Sequence, residues 1–216
     1  MEQVAKKQNK FLKILGWVFS IIFFAVCAVI IFFNLTHEYH TVSGDSMYPT
    51  LNGTTETDGV FVSKIKGYGR GDILVVNKGE KDAYGQDIFV VKRLIAIGGD
   101  KITIREVDGY FRIILIYNGE TEETILNEPY LEDYSNNSSL KAKFEKMIQQ
   151  KGYILDNGFL QIPDGQIFYL GDNRLTSNDS STYGYKEQNL VVGKVDYIAY
   201  GNTNIYWQVI KQAFGW

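Results

Sequence analysis

Twenty residues, Ile14 to Phe33, are apolar except for Ser20, and this run constrains the fold more than any other feature. At a rise of about 1.5 Å per residue they form a helix about 30 Å long, the thickness of a bilayer's hydrocarbon core. Lys6, Lys7, Lys10 and Lys13 precede the run, while Glu38, His37 and His40 follow it. That asymmetry predicts a cytoplasmic N-terminus at 1–13, one membrane span at 14–33, and an exterior location for everything after Asn34. The run is too long for the apolar core of a cleaved signal peptide, and no small-x-small site follows it. Val26 stands before Cys27, and the cysteine lies mid-span, so lipoprotein processing does not fit either. The expectation is a retained single anchor.

Residues 38–216 are then enough for one further domain. The whole chain of 216 residues is 45% hydrophobic, which can supply a core, and its net charge of −3 argues against nucleic acid as a partner. Cys27 has no second cysteine to pair with. Two histidines cannot build a four-ligand metal site alone, so no metal and no cofactor are expected. His37 and His40 read as exposed residues beside the membrane.

The outer part reads mainly as short strands between turns. Asp58–Ile65, Ile73–Val76 and a nearly unbroken apolar run, Ile88–Ile97, are strand candidates; the length and β-branching of the last predict a buried central strand. Lys78–Gly85 is polar and turn-rich. Asp108-Gly109 predicts a hairpin between 101–107 and 110–117. Leu140, Phe144, Met147 and Ile148 fall on one helical stripe, with Ser139 as a candidate start cap and Gly152 as the stop. The stretch from about 107 to 155 has a different texture and reads as a small insertion. Strands resume at Phe159–Ile162, Ile167–Leu170 and Leu190–Tyr200.

Chemistry enters at Ser46, in Thr41-Val-Ser-Gly-Asp-Ser-Met-Tyr-Pro-Thr-Leu51, a few residues beyond the span. A serine hydroxyl is a poor nucleophile until a base takes its proton. Both histidines lie in the short tether before it. Lys92 is better placed, on a strand with Ile88 and Val90 on its own face. An ordinary lysine, with pKa near 10.4, is neutral only about once in 2,500 molecules at pH 7. Burial among apolar residues disfavours the ammonium and makes the amine a competent base. Arg93 stays protonated and cannot serve. A lone serine in a turn, or a lone lysine on a strand, is ordinarily structural; the two motifs together behind an anchor are more specific.

In those motifs the chain resembles the bacterial type I signal peptidases, membrane-bound serine endopeptidases that remove signal peptides from exported proteins. Ser43–Leu51 is similar to the family's nucleophile box, Arg70–Val75 to a structural strand, Val90–Asp100 to the lysine box, and Gly171–Ser180 to the last box. The resemblance implies Ser46 as nucleophile, Lys92 as general base, Ser177 as the hydroxyl that orients the amine, and Asp179 as a bracing carboxylate. It implies an acyl-enzyme, preprotein substrates with small residues at −1 and −3, and a substrate bound as an added strand. Val42 and Val91 are candidate pocket residues. The fold implied is mainly β, a single N-terminal transmembrane helix followed by an antiparallel β-domain with a small α+β insertion.

Three departures stand out. Gly44 replaces a serine that some members use in the oxyanion hole. Ser181 replaces the usual arginine partner of Asp179. Lys186-Glu187 replaces a common Val-Pro. Aromatic and apolar residues at Met47, Tyr48 and in the tail Ile205–Trp216 suggest contact with the lipid interface. Two other readings compete. A self-cleaving Ser–Lys repressor of the SOS type would carry a DNA-binding module in place of the anchor. A non-catalytic or specialised relative in pilus or surface-protein assembly would not need both Ser46 and Lys92.

Overall fold

The apolar run folds as α1, Glu2–Thr36. Within its segment Leu12–Thr36 an 18-residue stretch has a mean hydropathy of 2.8 with none of that stretch buried within the protein, and the segment is long and apolar enough to cross a membrane. Ser20, the one polar side chain within Ile14–Phe33, donates its hydroxyl to the Gly16 carbonyl at 2.9 Å, so the helix satisfies it internally. This computed structural model describes residues 2–52, 57–65, 67–131 and 134–201. The chain divides into two units, Met1–Glu38 and Tyr39–Trp216.

Strands dominate from His37 onward. They are β1 (His37–Thr41), β2 (Gly59–Ser63), β3 (Ile73–Lys81), β4 (Asp87–Ile97), β5 (Lys101–Val107), β6 (Tyr110–Ile116), β7 (Thr124–Ile125), β8 (Leu160–Gln161), β9 (Gln166–Leu170), β10 (Lys186–Glu187) and β11 (Val191–Ala199). Among the described residues two α-helices, α2 (Asn137–Lys151) and α3 (Ser180–Tyr183), and a 3₁₀ turn at Gln188–Leu190 interrupt them. A seven-stranded sheet runs β1-β2-β11-β3-β4-β9-β10, and a four-stranded sheet runs β7-β6-β5-β8. The pairings from β2 to β10, and all those of the smaller sheet, are antiparallel. The β-rich reading therefore holds.

β4 lies between β3 and β9, buried from Lys92 to Ala96, as its β-branched run predicts. The register sets Lys92 opposite Leu74 and Arg93 opposite both Ile73 and Leu170. Asp108 and Gly109 both take positive φ, 53° and 79°, the geometry of a two-residue hairpin turn between β5 and β6. Leu140, Phe144 and Met147 point from α2 into a core shared with Ile102, Ile113 and Phe168. The smaller sheet takes in β5 from Lys101 and β8 to Gln161, so its strands extend on both sides of the 107–155 stretch.

Four details differ from the expectations above. β3 continues through Lys78-Gly-Glu-Lys81 and turns only at 82–86, because Lys81 pairs with Asp87. Asn136, not Ser139, is the N-cap of α2, and it makes no side-chain cap bond; Asn137 instead donates its amide to the Phe111 carbonyl at 2.8 Å, fixing the helix start one turn earlier. His37 and His40 are half-buried members of β1 rather than exposed tether residues; the His37 ring stacks on Phe33 at 4.3 Å and the His40 ring lies 5.6 Å from Phe89. Met47 is buried in the core, because its side chain pins the turn that carries Ser46, whereas Tyr48 is exposed. The tail Ile205–Trp216 lies outside the described residues.

Candidate active site

The turn carrying Ser46 is held from three directions. Val42 N–H donates to the Asp58 carbonyl at 2.9 Å, and Met47 and Leu51 sink into the apolar cluster that holds Val42, Val60 and Val62. The Asn52 amide donates to the Gly44 carbonyl at 2.7 Å and to the Val42 carbonyl at 3.1 Å. From the last box, Asn173 N–H donates to the Ser46 carbonyl and its side-chain amide to the Asp45 carbonyl, both at 3.1 Å. Gly44 supplies a φ of +84° that a residue with a Cβ rarely adopts. It brings no hydroxyl to the site. The Ser46 N–H has no hydrogen-bond partner among the described residues.

β4 delivers the candidate base. Lys92 Nζ lies 2.6 Å from Ser46 Oγ and 3.0 Å from the Val91 carbonyl. The residue is 3% exposed. Burial pulls its pKa down from 10.5, since an ammonium there loses its water; the charges of Asp179 and Asp172 oppose that shift without reversing it. A lowered lysine pKa beside a hydroxyl is the combination that proton abstraction needs.

The neighbouring Arg93 points to different partners. Its guanidinium grips Asp172 through two bonds, 2.9 and 2.6 Å, and lies 3.8 Å over the Tyr130 ring. Thr50 donates to the same carboxylate at 2.5 Å. One strand therefore provides the candidate base and, one residue on, a clamp that ties the Ser46 turn to the last box. The sequence does not single out Asp172, Thr50 or Asn173, although Thr50 lies within Ser43–Leu51 and the other two within Gly171–Ser180.

Gly171 is the close-approach point. A Cβ there would overlap the Ser46 carbonyl oxygen and the Ser177 hydroxyl, so only glycine lets the two segments meet. Ser177 is buried beside this point, but its Oγ has no hydrogen-bond partner, and the expected bond to Lys92 is not made. Asp179 caps α3, accepting from Ser181 N–H at 3.0 Å and Ser181 Oγ at 2.7 Å, and accepts from Gly171 N–H at 2.8 Å. Ser181, where the resemblance leads one to expect an arginine, thus binds Asp179 through its own N–H and hydroxyl. Lys186 and Glu187 form β10, paired with β9 and away from this cluster of contacts. Val42 is buried and Val91 half-buried in one apolar cluster. Among the described residues no group of three His, Cys, Asp or Glu side chains is arranged to hold a metal ion.

Residues 14–200 match the family model described as signal peptidase, peptidase S26. The chain belongs to this peptidase family. Signal peptidase I S of Bacillus subtilis (strain 168) is 33% identical over 186 residues, covering 83% of this chain and 82% of the relative. Signal peptidase I of Bacillus caldolyticus is 34% identical, with 81% and 86% covered. Signal peptidase IB of Staphylococcus aureus (strain COL) is 32% identical, with 86% and 88% covered. A crystal structure of a signal peptidase I from Enterococcus faecalis V583 matches 61% of this chain and 98% of its own, at 25% identity and a TM-score of 0.36. The peptidase is accordingly a serine protease of the hydrolase class, as the motifs imply.

Proposed function

We propose that the peptidase removes N-terminal signal peptides from exported preproteins, after small residues at −1 and −3, with Ser46 as nucleophile and Lys92 as general base. One observation carries this reading, the 2.6 Å approach of a buried lysine amine to the Ser46 hydroxyl. The neutral Lys92 lone pair takes the Ser46 proton as Oγ bonds to the scissile carbonyl carbon, and the carbonyl electrons move onto its oxygen. The partnerless Ser46 N–H serves that oxyanion. The tetrahedral intermediate collapses, the C–N bond breaks, and the ammonium of Lys92 returns the proton to the leaving amine. Water then gives a proton to Lys92, its oxygen attacks the acyl carbon, and Ser46 leaves with the proton.

Ser177 steadies the amine once its buried hydroxyl turns toward Lys92 Nζ, a bond this structure does not make, and Asp179 braces the Gly171 backbone. Val42 and Val91 line the site for the small −1 and −3 side chains. The chain divides into a cytoplasmic stretch at 1–13, a span at 14–33 and an outer catalytic domain at 38–216 with an insertion at about 107–155. The lipid bilayer is a standing partner. Cleavage of a preprotein in detergent tests the dyad. Ser46→Ala and Lys92→Ala each abolish turnover while circular dichroism stays unchanged; wild-type-like cleavage by either variant defeats the assignment. A parent chain that cuts no preprotein would favour the assembly-factor reading.

A further inference from the structure

Lys143 is a half-buried residue on α2, outside every box, yet it is spent on one loop. Its Nζ donates to the carbonyls of Arg174, Leu175 and Ser177 at 3.1, 2.9 and 3.0 Å. An ammonium has three donors, and all three are used on a single turn of the last box. These are charge-assisted bonds, stronger than neutral ones.

The lever behind Lys143 is rigid. Its helix neighbours Leu140, Phe144 and Met147 are buried, and the Phe144 ring meets Phe168 of β9 edge-on at 6.1 Å. β9 is the strand that leads directly into Gly171. The helix and the start of the loop therefore share one core, and Lys143 bridges from that core to the loop's far side. The loop needs such a hold. Ser177 Oγ makes no hydrogen bond, so its place beside the dyad depends on backbone contacts, namely its N–H to the Asn173 carbonyl at 3.0 Å and its carbonyl to Lys143. Asn173, at the other end of the same turn, holds the Ser46 carbonyl.

We infer that Lys143 is a positioning residue for the peptidase reaction, setting the 173–177 turn and through it Ser46 and Ser177 relative to Lys92. The inference rests on the Ser46–Lys92 reading. It also gives the segment around α2 a part in catalysis that does not depend on touching substrate.

The test uses the full chain in detergent with a signal-peptide-derived peptide. Misplacing catalytic groups by about 1 Å costs up to about 100-fold in rate, so Lys143→Met lowers kcat by about 10- to 100-fold with KM nearly unchanged. Lys143→Arg, which keeps a cation and several donors, recovers most of that loss. In Lys143→Met, amide hydrogen exchange speeds up across 173–181 while β3 and β4 keep their protection. An unchanged kcat overturns the inference. So does exchange that rises equally across β3, β4 and α2, since the lysine would then hold the fold rather than the loop. Ser46→Ala run in parallel separates the two layers. A still active Ser46→Ala removes the dyad itself, whereas an inactive one beside a fully active Lys143→Met removes only the role of Lys143.

Discussion

Lys92 is buried where its charged form is disfavoured, and this has consequences for both activity and stability. Only the neutral amine can take the Ser46 proton, so kcat/KM should climb with pH to a plateau, its midpoint below the ordinary lysine value of 10.5. A pH–rate profile with no ascending limb below that value contradicts a lysine base. The stability sign follows from the same shift. The unfolded lysine keeps its proton up to 10.5, the folded one releases it earlier. Between those two pKa values the unfolded state binds more protons, so stability rises with pH across that window; below the folded pKa the full penalty applies. Lys92→Met lacks the penalty, and denaturant titrations should show its stability relative to the parent falling as pH approaches 10.5. The meeting of Ser46 and Lys92 was legible in the sequence, because each sits in a distinctive local motif. Gly171 and Asn173 were not singled out, because what each does depends on a segment more than 100 residues away in the chain meeting it.

At the level of elements, periodicity separates what could be read from what could not. β4 and the β5–β6 hairpin follow from a β-branched run and from Asp108-Gly109, and α2 from the spacing of Leu140, Phe144 and Met147. β8 falls inside the strand expected at Phe159–Ile162, whereas β7 and β10 are two residues each, too short to carry a pattern, and exist because a longer neighbour offers an edge. The start of α2 was misread because Asn137 spends its amide on Phe111, a tertiary choice that no local signal encodes. The stripe itself has a measurable worth. Phe144 is 3% exposed and packs on Phe168 beneath the last box. Phe144→Ala should cost about 3–5 kcal/mol, from lost transfer energy plus the cavity left behind. Urea unfolding of the parent and variant checks this, with a loss under about 1 kcal/mol showing that α2 is not anchored by this ring.

For the whole molecule the decisive quantity is the free energy of the apolar helix in lipid. Leu12–Thr36 spans 25 residues, about 37 Å of helix against a core of about 30 Å, so it is long enough to cross with some tilt. Its Leu, Ile, Phe and Val side chains each favour the bilayer centre by about 0.3–0.6 kcal/mol, and together they outweigh Ser20, which is already bonded to Gly16. A helix of this kind does not leave the bilayer when salt or high pH strips electrostatic contacts. The protein should therefore stay in the membrane pellet after alkaline carbonate extraction, at the mass of the uncleaved chain. Orientation is a separate matter, carried by Lys6, Lys7, Lys10 and Lys13 on one flank. If they remain inside, protease added to intact spheroplasts digests the domain after Asn34 and spares an epitope at the N-terminus. Digestion of the epitope with protection of the domain would put the site on the wrong side to meet an exported preprotein. Release of a shortened chain into the carbonate supernatant would mean that the helix is removed like the segments this family cuts.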